Sequence, residues 1–173
     1  RPDVEYIAAH PMAGREVSGV ENSTADMFVG ANYIVTPTSK NTPDAIQTCM
    51  ELGRLLGFSN VATLTPEAHD EMIGFLSQLT HCIAITLMTC NDMEDLEKFT
   101  GDSFRDLTRI AKINDQMWSE LFVANKGPLL DQMDNFIDKF NELRSMLESE
   151  DIEGMRRMMR RSTERRVAFD RKK

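Results

Sequence analysis

The chain has 173 residues, 41% of them apolar, with few aromatics and 12 methionines. That is enough apolar material for one packed domain, or one with a tail; it excludes a disordered chain and favours packed helices over a β-sandwich. The net charge of −8 is uneven: residues 151–173 carry nine basic against four acidic side chains, a net of +5, which leaves −13 on the first 150 residues, and that acidic body disfavours non-specific nucleic-acid binding.

Residues 4–9 (Val-Glu-Tyr-Ile-Ala-Ala) are short, apolar and poor in helix signals, so they read as a strand. Nothing precedes them to pair with, as in the last strand of a sheet whose other strands lie elsewhere. Residues 10–14 read as a turn. A short helix is expected over 19–28, capped by Asn22 or Ser23. Residues 32–36 alternate as a strand, stopped by Pro37. Thr42 then offers an N-cap, with Pro43 at the first helical position. Ile46, Cys49, Met50, Leu52, Leu55 and Leu56 recur at helical spacing, and Gly57 stands as the closing glycine.

Residues 60–64 form a third β-like run. Thr65 caps a long helix reaching about Cys90, apolar on nearly every side, so it is expected to be the central buried helix. Its Ser77, Gln78, Thr80, His81, Thr86 and Thr89 argue against a membrane span. Further helices are expected over 108–124 and 129–147, the latter with Leu130, Met133, Phe136, Ile137, Phe140, Leu143 and Leu147 at steps of three and four. Over 151–171, arginine pairs alternate with Met155, Met158 and Met159 in another helix-compatible stretch. The fold class is mainly α, with two or three short strands near the front.

Several residues could carry chemistry. His10, at a strand end held by Pro-Met-Ala-Gly, suits a general base near neutral pH; taken alone, an ordinary turn histidine is the commoner case. Arg105 and Arg109 are four apart, on one helix face, with Asp106 beside them. Two guanidinium groups there suit a dianionic small molecule, against the commoner solvated face with an ordinary ion pair. His81, in the middle of an apolar helix, is usually a core histidine satisfied by a neighbour, or else a donor to an oxyanion. Trp118, the only tryptophan, is more often core than ligand-binding. No metal site is expected, because His10, His69 and His81 have neither HExxH spacing nor nearby cysteines. Cys49, Cys82 and Cys90 form no CxxC pair and fit free thiols in a reducing cytosol. No basic segment followed by an apolar run opens the chain, so no secretory leader is expected. No GxGxxG and no GxxxxGK[ST] occurs, so any nucleotide is held mainly from outside this chain.

Four segments, in order, resemble the prephenate dehydrogenase family. They are His10-Pro11-Met12-Ala13-Gly14-Arg15-Glu16 with Ser18-Gly19-Val20; Asn32-Tyr33-Ile34-Val35-Thr36-Pro37; Ser77-Gln78-Leu79-Thr80-His81; and Phe104-Arg105-Asp106-Leu107-Thr108-Arg109-Ile110-Ala111 followed by Met117-Trp118. The resemblance implies a helical dimerisation domain of the 6-phosphogluconate-dehydrogenase C-terminal type. It divides the chain into the end of a nucleotide-binding domain (1–37), a helical substrate-binding and dimerisation domain (38–150) and a basic C-terminal helix or tail (151–173). It also implies an NAD- or NADP-dependent oxidative decarboxylation of prephenate to 4-hydroxyphenylpyruvate, on the route to tyrosine.

By that similarity His10 takes the ring-hydroxyl proton and Arg109 binds a substrate carboxylate. His81 lines the pocket, Glu16, Arg105 and Asp106 form a polar network around it, and Trp118 helps wall it. The resemblance places the cofactor mainly in a Rossmann domain this chain lacks, so the chain alone is expected to be inactive. A cytoplasmic homodimer that binds no membrane or nucleic acid is implied. An arogenate dehydrogenase is the alternative within the class. A helical interaction module, binding a partner through its basic tail, is the alternative outside it. The tail is expected to pack against the acidic body, burying methylenes and keeping charges in water.

Overall fold

Tyr33, Ile34 and Val35 are consecutive, apolar and all buried, and only a strand covered on both faces accommodates three such residues in a row. In the computed structural model, which describes residues 4–14 and 19–169, they form the middle of β2 (Asn32–Thr36), the central strand of a three-stranded sheet. β1 (Ala8–Met12) pairs with β2 antiparallel, and β3 (Asn60–Thr63) pairs with it parallel. A parallel pair needs a crossover, and α1 (Pro43–Leu55) supplies it. Thr42 accepts the Ala45 N–H at 3.3 Å as the N-cap, and Gly57 takes the left-handed turn after the helix at φ +87°. Tyr33, Val35, Cys49 and Phe58 make the core of this region.

Two expectations about the front of the chain are corrected. The first strand lies four residues later than 4–9, and it contains the His10-Pro11-Met12 expected to be a turn. Proline lacks the N–H of a ladder, but β1 is an edge strand, where that loss is tolerated. The strand also has a partner, because it pairs forward with β2. The helix expected over 19–28 is instead two 3₁₀ turns, Val20–Asn22 and Ala25–Phe28. Gly19 and Thr24 precede them, without side-chain capping bonds, so neither Asn22 nor Ser23 is an N-cap; Ser23 instead closes the first turn.

The long apolar helix is a continuous rod, Pro66–Thr89. It consists of α2 (Pro66–Ile73), a π-helical stretch at Gly74–Leu79, and α3 (Thr80–Thr89). Thr65 caps it by accepting the Ala68 N–H at 3.2 Å. By length and composition alone the rod could cross a membrane, but α5 (Asp102–Thr108) and the 3₁₀ turn Arg109–Ala111 pack against α3. The expected full burial is met on one side only. Gly74, Gln78, Leu79 and Ala84 are buried, whereas Phe75, Leu76 and Met88 are 51%, 46% and 49% exposed.

After α4 (Leu96–Phe99) and α5, the helix expected over 108–124 is broken. Asn114 starts α6 (Asp115–Ala124) by accepting the Met117 N–H at 3.0 Å. The last helix of this region, α7 (Lys126–Glu148), begins ahead of the expected 129. Pro128 sits in its first turn, where a missing N–H costs nothing. A Cβ on Gly74 would stand 3.4 Å from the Pro128 carbonyl, so the glycine lets the start of α7 lie against the rod, with Leu129 buried.

The chain divides into two units, Arg1–Leu129 and Leu130–Lys173. The second holds the rest of α7 and the basic α8 (Ile152–Arg166). Between them Glu150 adopts φ +54°, and Asp151 caps α8 by accepting the Gly154 N–H at 2.8 Å. Within this unit Arg156 pairs with Glu153 at 2.7 Å and Arg157 with Asp151 at 3.9 Å. Phe136, Ile137, Phe140 and Leu147 of α7 are exposed.

Candidate functional site

Side-chain alternation along β1 decides where His10 points. Ala9 is opposite Val35 and Pro11 opposite Tyr33, on the face that carries the Tyr33–Val35 core. His10 is opposite Ile34 and therefore projects from the other face. There it meets His69 of α2, with His10 Nδ1 2.9 Å from His69 Nε2. The rings are 5.1 Å apart and tilted by 58°, a geometry for an in-line hydrogen bond rather than stacking. His69 Nδ1 lies 3.1 Å from Asp70 Oδ1. Burial, and then the charge His69 carries when protonated, hold the His10 pKa below the ordinary imidazole value. His10 thus keeps the neutral form that can act as a base.

The turn that carries His69 and Asp70 is anchored. Asn125, just after α6, donates from Nδ2 to the Asp70 carbonyl at 2.9 Å and to Gln78 Oε1 at 2.7 Å. Gln78 is 4% exposed and donates from Nε2 to the Leu121 carbonyl at 3.1 Å. Its polar atoms are therefore matched inside the protein, as burial demands.

His81 forms a second group. Its Nδ1 donates to the Ser77 carbonyl at 2.8 Å, which leaves Nε2 as the nitrogen able to meet a ligand. Trp118 stacks on its ring, with centroids 3.7 Å apart, and Phe122 lies 5.6 Å from Trp118. Trp118 is therefore more than core filler, because it fixes the plane of a polar ring.

Arg109 opens the 3₁₀ turn packed on α3, the helix of His81. Arg105 does not continue its face as a regular helix would, because α5 ends at Thr108. The Arg105 guanidinium is exposed and 3.7 Å from the still more open Asp102 carboxylate, and Asp106 is exposed beside it. Glu16 lies outside the described residues. His69 and His81 are twelve positions apart on one rod, about 18 Å of helical rise. The predicted residues are therefore gathered into two groups along one helix, not into a single knot.

His69, Gln78 and Asn125 were missed as contributors. His69 entered the sequence argument only against a metal, and its i+1 spacing to Asp70 carries no helical-face signal. The one available signal was His10 and His69 both standing beside proline-led turns, which says nothing about their meeting in space.

A family model described as prephenate dehydrogenase, dimerization domain, matches residues 65–161. A second, prephenate dehydrogenase, nucleotide-binding domain, matches residues 1–59. The chain is 32% identical to the prephenate dehydrogenase of Bacillus subtilis (strain 168) over 87% of this chain and 42% of that protein. It is 26% identical to the cyclohexadienyl dehydrogenase of Zymomonas mobilis over 97% of this chain and 59% of that protein. Among solved structures, prephenate dehydrogenase from A. aeolicus in complex with hydroxyphenyl propionate and NAD+ superposes with a TM-score of 0.85 at 30% identity, over 95% of this chain and 59% of that one. The chain thus spans about half the length of the relatives it matches.

Proposed function

The chain belongs to the prephenate dehydrogenase family, and from that premise we propose that it supplies the substrate-binding and dimer-forming part of an enzyme that oxidatively decarboxylates prephenate to 4-hydroxyphenylpyruvate. The observation that carries this reading is His10, aimed off the sheet and held neutral by burial against His69. A substrate whose ring hydroxyl sits at His10 extends along the rod in the direction of the His81 and Arg109 group.

The nine glycines form no GxGxxG, so the residues present do not fit a cofactor pyrophosphate. The nicotinamide, NAD or NADP, whose part is to accept a hydride from the ring, is assigned to residues outside this sequence. This chain's own residues handle charge and protons. His10 Nε2 accepts the hydroxyl proton as the ring carbon is oxidised. The bond between ring and carboxylate then breaks, its electron pair enters the ring, CO₂ leaves, and the phenolate oxygen recovers a proton. Arg109 clamps a carboxylate, His81 binds the substrate through Nε2, and Trp118 holds the His81 plane and walls the site. Glu16, Arg105 and Asp106 form an outer polar network. Fixing a dianion and orienting the base lower the barrier without a metal.

The exposed apolar residues of the rod and of α7 support a homodimer; a cytoplasmic enzyme on the route to tyrosine is what membership of the family suggests. Arogenate, with an amine in place of the keto group, is the second substrate to test, because a cyclohexadienyl dehydrogenase is among the relatives. The assay follows nicotinamide reduction by the full-length protein with each substrate. His10→Asn should cost about 100- to 10,000-fold in kcat. Unchanged turnover in that variant refutes the reading, and sedimentation of the full-length protein only as monomer at micromolar concentration refutes the dimer.

A further inference from the structure

Two neutral imidazoles facing each other through one nitrogen apiece cannot both donate, nor both accept. Each ring has a single N–H, so a hydrogen bond between His10 Nδ1 and His69 Nε2, 2.9 Å apart, fixes which ring carries the shared proton. The other nitrogen of His69 decides it. His69 Nδ1 is 3.1 Å from Asp70 Oδ1, and an ionised carboxylate only accepts. His69 Nδ1 therefore holds the His69 proton, His69 Nε2 is the acceptor, and the proton between the rings sits on His10 Nδ1. The lone pair of His10 is left on Nε2.

We propose that His69 is a positioning residue for His10, holding it in the Nδ1–H tautomer whose Nε2 can take a proton. The inference rests on the reading of His10 as the base. An unassisted histidine in water favours the Nε2–H tautomer, in which that nitrogen donates and cannot accept. His69 reverses the preference and, being buried to 18% side-chain exposure, also fixes the ring orientation. Asp70, at 56% exposure, biases the His69 tautomer from a screened position and contributes less. The Asn125 bond to the Asp70 carbonyl, at 2.9 Å, ties this turn of α2 to the end of α6. The arrangement parallels the role of a buried carboxylate behind a catalytic histidine, with a second imidazole as the acceptor.

The experiment uses the full-length protein labelled with ¹⁵N-histidine, as wild type, His69→Leu and His69→Gln. Histidine nitrogen shifts, read above the ordinary imidazole pKa of about 6.5, report each tautomer without any need for turnover. Wild-type His10 should be Nδ1–H. His69→Leu should return it to Nε2–H and lower kcat about 10- to 100-fold, with KM within about twofold. His69→Gln offers an amide oxygen to the His10 N–H and should restore both tautomer and most of kcat. Both variants remove the repulsion between two imidazoliums that opposes protonation of His10, so in both the acid limb of kcat/KM should move to higher pH. An Nε2–H His10 in the wild type overturns the inference; so does His69→Leu with an unchanged tautomer and kcat, or His69→Gln no better than His69→Leu. If His69→Leu does not fold, the wild-type spectrum and His69→Gln still decide. An Nδ1–H His10 together with full turnover in His10→Asn supports the positioning and refutes the functional reading, so the two failures are distinct.

Discussion

Gly53→Ala puts two opposed effects on one residue. In an open helix the change stabilises by about 1 kcal/mol, because glycine carries the larger backbone entropy. In α1, however, a Cβ at Gly53 would lie 2.5 Å from Tyr33 Cδ1 and 3.0 Å from Cε1, where carbon pairs are comfortable at about 3.5–4.0 Å. The ring would have to retreat by about 1 Å, and it has little freedom to do so. Phe58 sits 4.8 Å away, ring to ring, the Tyr33 hydroxyl is 3.6 Å from Cys49 Sγ, and the backbone of β2 is paired on both sides. Overpacking of this kind costs about 1–3 kcal/mol, so the clash outweighs the propensity gain and the net loss is about 1 kcal/mol. Urea unfolding followed by far-ultraviolet circular dichroism, at matched protein concentration, should show a lower midpoint with an unchanged slope. In a Tyr33→Val background, where the ring is gone, the same Gly53→Ala change should stabilise instead. A Gly53→Ala midpoint at or above wild type would refute the reasoning.

Gln78→Leu removes two buried hydrogen bonds, but the Leu121 carbonyl keeps the Asn125 backbone N–H at 3.2 Å and Asn125 Nδ2 keeps the Asp70 carbonyl. The cost should be about 1–2 kcal/mol by urea unfolding, below that of orphaning both partners; a stabilised variant would contradict the network. Arg109→Ala should raise KM for prephenate about 10- to 100-fold, the worth of a charged hydrogen bond. Arg105→Ala should stay within about twofold, because that side chain is in an open surface pair; equal effects would show the assignment to be wrong. The Tyr33 hydroxyl, pushed up to about 12 first by burial and then by Cys49, should ionise near that pH in an ultraviolet titration. Its folded pKa stands above the unfolded value, so its stability contribution is whole below about pH 10 and declines as pH rises toward 12; ionisation near 10 in the folded protein would refute the burial argument. His10 shifts the opposite way. Its contribution is whole above about pH 6.5 and is lost as pH falls, and the acid limb of kcat/KM should lie below that pH; a limb above it would mean that burial does not govern the base.

Local signals were legible wherever a residue acts on its own neighbours. The Thr42 and Thr65 caps, the prolines that follow them, the Gly57 stop and the strand 32–36 depend on contacts within four residues, and all appear as expected. The errors came where chain neighbours were a poor guide. Pro11 reads as a turn until its edge position is known, and the α5–α6 break is set by Asn114 against an apolar spacing that runs straight through it. The rod looked uniformly apolar, yet only one side of it is covered, since composition cannot say how much of a surface a single chain will bury. The sequence alone determined the mainly α class, the helix starts at Thr42 and Thr65 and the motifs around His10, His81 and Arg109. Only the tertiary structure set His69 against His10 and Trp118 against His81, because those contacts join residues 59 and 37 positions apart, and no local periodicity encodes a pairing of that range.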